Sequence, residues 1–319
     1  VTTTKALPDL PGPTEPDPAA AQDRHRRNRP QVTHRQRRTA WLMVAPAGLH
    51  ALFWIALPVL ATFVLSVTNY SVLSPLRFVG LNNYARAFAD PVFRLSIWHT
   101  AVYTFFTVPV AMAVAVFLAV LLNQQIRARA WYRAAIFLPQ VTATVAVAMV
   151  WLQIYDPQSG LANKVLAGLG IGPSAWLFDP NSALSSVIVV GIWQGIGIKM
   201  IIYLAALQNI PDELYEAAEL DGANAWQRFR RITLPMLRPA TLFVSVVSII
   251  GAFQAFDQIY VLTQGGPANA TTMMTYEVYR SAFSNFQMGL ACAKSVVLFV
   301  FLFGLTVLNR GLTGGDDDE

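Results

Sequence analysis

Trp41-Leu-Met-Val-Ala-Pro46-Ala-Gly-Leu-His50-Ala-Leu-Phe-Trp54-Ile-Ala-Leu-Pro58-Val-Leu-Ala-Thr-Phe-Val-Leu-Ser66-Val67 is an apolar run of 27 residues that holds no Asp, Glu, Lys or Arg. An α-helix rises about 1.5 Å per residue, and roughly 20 apolar residues cross the hydrocarbon of a bilayer. Hydrocarbon offers no water to backbone N–H and C=O groups, so a spanning segment of this kind must bond them within its own helix. Five more such runs follow, at 101–122, 134–155, 183–208, 240–263 and 288–309. The fold class expected is all-α: a polytopic transmembrane helix bundle of about six spans over residues 41–310. Pro46, Pro58, Pro109 and Pro139 are expected to mark kinks or helix ends.

Composition supports that reading. Of 319 residues 55% are hydrophobic and only 13% charged, with a mean hydropathy of +0.44; a soluble domain averages about 25% charged. The pI near 9.5 could suggest a nucleic-acid partner. The basic residues instead flank apolar runs, as they do in membrane proteins, so the expected partner is the lipid bilayer and not nucleic acid. The lone cysteine, Cys292, lies in an apolar run and reads as a packing residue, and the four histidines show no metal-ligand spacing.

Orientation follows from Lys and Arg. With the N-terminus inside, 16 of the 23 fall in segments 1–40, 123–133, 209–239 and 310–319, and five in the opposite loops. This asymmetry places both termini in the cytoplasm, and the spans are expected in the inner membrane of a prokaryotic cell. Trp41, Trp98, Trp131, Trp151 and Trp176 fall at or near expected span ends, where an aromatic belt sits. Residues 1–40, rich in Pro, Ala and Arg, read as a disordered basic cytoplasmic extension, and 311–319 as an acidic cytoplasmic tail. The first run is too long for a signal-peptide core and is expected to stay as a span. No internal repeat is visible by eye.

The most informative polar segment is the connection 209–239, between the fourth and fifth runs. Pro211 suits a first helical position, and Asp212, Glu213 and Glu216 put negative charge near the positive end of the helix dipole. Gly222 breaks that helix. A second short one carries Trp226, Phe229 and Ile232 among Arg228, Arg230 and Arg231, and Leu234-Pro235 is expected to end it. From local physics alone, a connector lying on anionic lipid and a bracket that grips a partner fit equally well.

The residues then carry a resemblance. Glu216-Ala217-Ala218, Asp221-Gly222-Ala223, Ile232 and Leu234-Pro235 are similar to the EAA motif of ABC-importer permeases. Leu204-Ala-Ala-Leu-Gln-Asn-Ile-Pro211 upstream, and Phe256-Asp-Gln-Ile-Tyr-Val-Leu-Thr-Gln-Gly-Gly-Pro267 downstream, resemble the carbohydrate-uptake branch that includes the maltose-transporter subunits. The resemblance implies a permease subunit of an ATP-driven importer, in which this loop docks on a cytoplasmic ATPase dimer. Glu216 and Gly222 would form the core of that contact, with Ala217, Ala218 and Asp221 beside them, and Arg228, Arg230 and Arg231 meeting acidic surface or lipid phosphate. It also implies a second, homologous permease and an extracytoplasmic solute-binding protein met near Gly265, Gly266 and Pro267. The solute would be a di- or oligosaccharide or a glycerol-phosphate-type compound.

Absences bear on mechanism. No Gly-x-x-x-x-Gly-Lys-[Ser/Thr] loop occurs, so the chain is expected to bind no cofactor and not to be an enzyme; ATP-Mg would sit on the partner ATPase. Only Asp257 among eighteen acidic residues falls within a run, which counts against the alternative, a stand-alone secondary transporter of a small polar solute. A sugar path wants aromatic faces and amides; the candidates are Gln153, Trp193, Gln194, Lys199, Tyr203, Gln254, Asp257, Gln258 and Lys294. Trp193 and Tyr203 fit packing or interface roles better. Lys199 fits equally a carbonyl or subunit partner, and Lys294 is expected to snorkel to the outer surface.

Overall fold

The computed structural model describes residues 34–71, 75–124 and 126–313. Expectations for 1–33 and for 314–319 lie outside the described residues. Residues 34–40 and 311–313 are helical, so the first and last helices reach into the stretches read above as extension and tail.

The chain forms two compact units that meet at Val59 and Leu60 in sequence. The first carries α1 (His34–Ala51) and a wider π-helical turn at Leu52–Ala56. Pro46 sits inside α1 without ending it. Trp41, Leu42, Met43 and Trp54 are each about two-thirds exposed or more, as side chains facing lipid would be. Helix α2 (Leu57–Ser66) follows.

The second unit is a helix bundle. After α3 (Asn82–Ala89) come α4 (Pro91–Asn123), α5 (Arg129–Val141), α6 (Thr144–Ile154) and α7 (Leu161–Gly168). Then follow α8 (Pro180–Gln208), α9 (Asp212–Leu220), α10 (Ala225–Arg228) and α11 (Leu234–Met236). The chain closes with α12 (Arg238–Phe253), α13 (Asp257–Leu262), α14 (Met274–Tyr279) and α15 (Met288–Thr313). Among the described residues five helices are long and apolar enough to cross a membrane, and six if the bent pair α5–α6 counts as one span.

Three departures from the sequence expectation have physical causes. Helix α4 starts ten residues before the apolar run because Asp90 caps it, accepting a hydrogen bond from Val92 N–H, with Pro91 at the first turn. The pair Asp179-Pro180 launches α8 in the same way. The third run is not one straight helix: α5 and α6 meet at 99° just after Pro139, while Pro109 lies inside an unbroken α4.

Helices α4 and α8 pack along one another to form the spine, with Tyr103, Val108, Val187 and Val190 in one buried cluster and Ala115, Ala119, Met200 and Leu204 in the next. Small residues let α8 approach both α4 and α5: a Cβ at Gly191 would collide with the Tyr103 hydroxyl of α4, and one at Gly197 would stand 2.7 Å from the Ile136 carbonyl of α5.

At the end of the bundle remote from 209–239, Lys294 of α15 does not snorkel. It is 1% exposed and donates to Glu277 Oε1 at 2.7 Å, Asp90 Oδ2 at 3.0 Å and Ser281 Oγ at 3.0 Å, with its ammonium 5.2 Å from the Phe93 ring centre. Arg280 pairs with Glu277 at 2.6 Å. One cation thereby ties α15, the α14 segment and the N-terminus of α4 together.

Candidate functional site

Helices α4, α5, α6, α8, α12 and α13 line an open cavity of about 350 Å³, at the low end of the size that holds small molecules (roughly 300–1,000 Å³). Both interruptions of the spans border it. Gln140 and Thr144 flank the α5–α6 elbow, and Gln254, Ala255 and Phe256 form the break between α12 and α13. Irregular backbone at membrane depth is tolerated where it is buried in protein or lines a watered space, so the breaks and the cavity explain each other.

Five sequence candidates meet here: Gln194, Lys199, Gln254, Asp257 and Gln258. Two amides form the centre of a hydrogen-bonded chain. Gln258 Nε2 donates to Gln194 Oε1 at 2.6 Å, Gln194 Nε2 donates to Thr144 Oγ1 at 3.3 Å, and the Tyr103 hydroxyl donates to Gln258 Oε1 at 3.0 Å. The chain crosses from α6 through α8 and α13 to α4 and fixes the orientation of both amides. Each such bond is worth about 1 kcal/mol net. Lys199 Nζ donates to the Gly195 carbonyl of its own helix at 3.0 Å, while it also lines the cavity. One ammonium and one carboxylate therefore share a wall that is otherwise amide, hydroxyl and apolar.

The remaining candidates lie elsewhere. Tyr203 is fully buried in the cluster around Leu204 and Leu237. Trp193 packs edge-on against Trp151 in an outward apolar groove, and Gln153 is exposed away from the cavity. Sequence reading missed Tyr103, Thr107, Gln140, Thr144 and Ser248 in the lining. Tyr103 and Thr107 are four apart, hence on one helix face, and that pairing in an apolar run was the available signal.

The segment 209–239 folds as a hairpin of short helices. Pro211 is the cap residue before α9 and not its first residue. Gly222 holds φ +80°, a left-handed conformation that a side chain would strain. Asn224 and Gln227 form a reciprocal capping box that starts α10. Two contacts staple the halves: Arg228 to Glu219 at 2.8 Å, and the Tyr215 hydroxyl to Thr233 Oγ1 at 2.9 Å. Arg228 is thus engaged within the hairpin. Pro235 does not stop the second half: a π-helical turn at Phe229–Thr233 runs into α11, and the helix is interrupted only at Leu237. Glu216, Ala217, Asp221, Gly222 and Arg231 are exposed, Ala218 is half-buried, and Leu220 is 90% exposed. Leu214 and Trp226 are exposed as well, so the hairpin bares several apolar side chains and not Leu220 alone.

At the other end, Gly265 is buried, and its carbonyl accepts from Thr272 Oγ1 at 3.1 Å. Gly266 and Pro267 are half-buried, with the Gly266 carbonyl bonded by Thr271 Oγ1 at 2.8 Å.

Comparison with known proteins fits this geometry. The arabinooligosaccharides transport system permease protein of Bacillus subtilis is 32% identical over 97% of this chain and 98% of its own. The lactose transport system permease protein of Rhizobium radiobacter is 38% identical over 76% of this chain and 83% of its own. A chain of a solved bacterial alginate ABC transporter, in complex with an alginate pentasaccharide-bound periplasmic protein, shares the fold at TM-score 0.78, covering 88% of this chain and 97% of that one at 22% identity. The family model for the inner membrane component of binding-protein-dependent transport systems matches residues 108–313, and the chain belongs to that family.

Proposed function

We propose that the chain is one of two permease subunits of an ATP-driven importer for a neutral di- or oligosaccharide. The observation that carries this reading is the amide-bridged cavity at the two helix breaks. Its walls offer many hydrogen-bonding groups and one charge of each sign, which suits a solute rich in hydroxyls and without net charge. The arabinooligosaccharides and lactose named for two relatives are solutes of that kind.

In this account both termini face the cytoplasm, and the hairpin at 209–239 seats on a dimer of cytoplasmic ATPase subunits. Closure of that dimer on ATP-Mg pushes the hairpin. The hairpin is continuous with the ends of α8 and α12, and both helices line the cavity, so movement at one end re-angles the walls at the other. The solute arrives from an extracytoplasmic binding protein docked near Gly266 and Pro267. ATP chemistry takes place on the ATPase; this chain binds, orients and gates.

The test is reconstitution of this chain with its partner permease, ATPase and binding protein in liposomes. Uptake of a radiolabelled oligosaccharide should require both ATP and the binding protein. Uptake driven by an ion gradient without the ATPase would overturn the proposal.

A further inference from the structure

A run of aromatic rings leads away from the cavity. Phe256, at the α12–α13 break, lines it; its ring stacks on Tyr260 at 5.4 Å and meets Tyr279 at 5.1 Å. Tyr260 and Tyr279 meet edge to face at 5.6 Å, and Tyr279 lies 5.3 Å from Phe283. The run thus passes from the interior to the surface: Tyr260 is 42% exposed and Phe283 59%. It sits at the end of the bundle remote from the hairpin, on two segments that the chain brings together: the start of α13 with the break before it, and the end of α14 with the turn Arg280–Ser284 after it.

Two ordinary explanations fall short. Core packing would bury the rings, yet Tyr260 and Phe283 remain well exposed. A belt at the membrane surface would spread aromatic residues around the bundle, whereas these four form one contiguous group, with the buried Tyr276 packed against it, that reaches the wall of a polar cavity. A pyranose ring has one face of C–H bonds, made weakly positive by the neighbouring oxygens, and such a face stacks on the negative face of an aromatic ring.

We infer that Phe256, Tyr260, Tyr279 and Phe283 form a stacking track that holds successive rings of an oligosaccharide as it enters the cavity, so that this chain selects for glycan length. The inference rests on the sugar-import reading. Gln194 and Gln258 then bind the leading unit, and the track binds those that trail it. A monosaccharide would gain nothing from the track, and a longer chain would gain at each ring it reaches.

The complete importer in proteoliposomes tests this, using maltose-, lactose- and arabinan-derived mono- to pentasaccharides as probes. Tyr260→Leu and Phe283→Leu are each expected to raise KM for the penta- and trisaccharide of the transported series by roughly fivefold per lost stacking face. KM for the shortest transported sugar should change less than twofold, and maximal uptake should hold. Tyr260→Phe and Phe283→Tyr should restore the length preference. Phe283 is surface-exposed, so Phe283→Leu carries the test if Tyr260→Leu does not assemble. Equal loss at every length, or normal uptake by both Leu variants, overturns the track while leaving the importer reading intact. No ATP-dependent uptake of any probe by the unsubstituted importer overturns both.

Discussion

Lys294→Met removes a cation that is 1% exposed and leaves Glu277, 2% exposed, without its 2.7 Å partner. Breaking a buried pair from one side costs about 3–5 kcal/mol, because the surviving charge stays desolvated. Two features pull the value toward the lower end: Arg280 still reaches Glu277 at 2.6 Å, and Asp90, 30% exposed, can recover water. The expected loss is therefore about 3 kcal/mol. Glu277→Leu alone should cost a similar amount, because Lys294 then keeps only the partly exposed Asp90 as a counter-charge and Arg280 loses its partner too. The double variant should be less damaged than the sum, by about 1–3 kcal/mol, since neither buried charge then remains unpaired. Denaturant unfolding of the purified chain in detergent, followed by helical circular dichroism, measures all three. A cost for Lys294→Met below about 1 kcal/mol, or strict additivity, would refute the reasoning that this cluster clamps the end of the bundle.

Further outcomes follow from the same geometry. Gly222→Ala forces a side chain into the left-handed region and should destabilise the hairpin by about 1 kcal/mol; Gly222→Arg and Glu216→Lys should uncouple uptake from ATP hydrolysis while the protein still inserts, which parallel uptake and ATPase assays would reveal. Gln194→Leu leaves the Gln258 amide and Thr144 short of a partner, and should raise KM for solute by about tenfold, the equivalent of roughly 1.4 kcal/mol. Burial works to raise the Asp90 carboxyl, but the hydrogen bond and charge of Lys294, with backbone N–H bonds from Val92 and Phe93, hold it below the usual 3.8. Its folded-state value is the lower one, so its contribution is fully present at neutral pH and is lost as pH falls below about 3.8. The stability gap between the unsubstituted chain and Asp90→Asn, read from unfolding curves at several pH values, should accordingly narrow on acidification.

Much of the architecture was legible because lipid imposes a simple rule. Runs of about twenty apolar residues must be helices, and each of the six runs holds one or two. Apolarity could not disclose the elbow between α5 and α6, since residues on both sides of Val141 are equally suited to hydrocarbon. Nor could it disclose the early start of α4, although Asp90-Pro91 is a capping signal in plain view. In the cavity, amides and charges inside apolar runs identified Gln194, Lys199, Gln254, Asp257 and Gln258, because a polar group there needs a reason. Tyr103 escaped because tyrosine is ordinary in a span. The bonding of Lys294 escaped for another reason: Asp90 and Glu277 lie in segments that read as loops, and only tertiary folding carries them to its ammonium.

The claim on which the rest depends is that the hairpin at 209–239 is where the ATPase grips this bundle. Leu220→Cys, at a side chain 90% exposed, on a Cys292→Ala background in the assembled importer, allows a direct measurement with a short bifunctional cross-linker. The account predicts a covalent adduct between this chain and the ATPase subunit, with loss of ATP-driven uptake once the link has formed. An ATPase left unlinked, while a membrane-impermeant thiol reagent labels Leu220→Cys from outside intact cells, would contradict it.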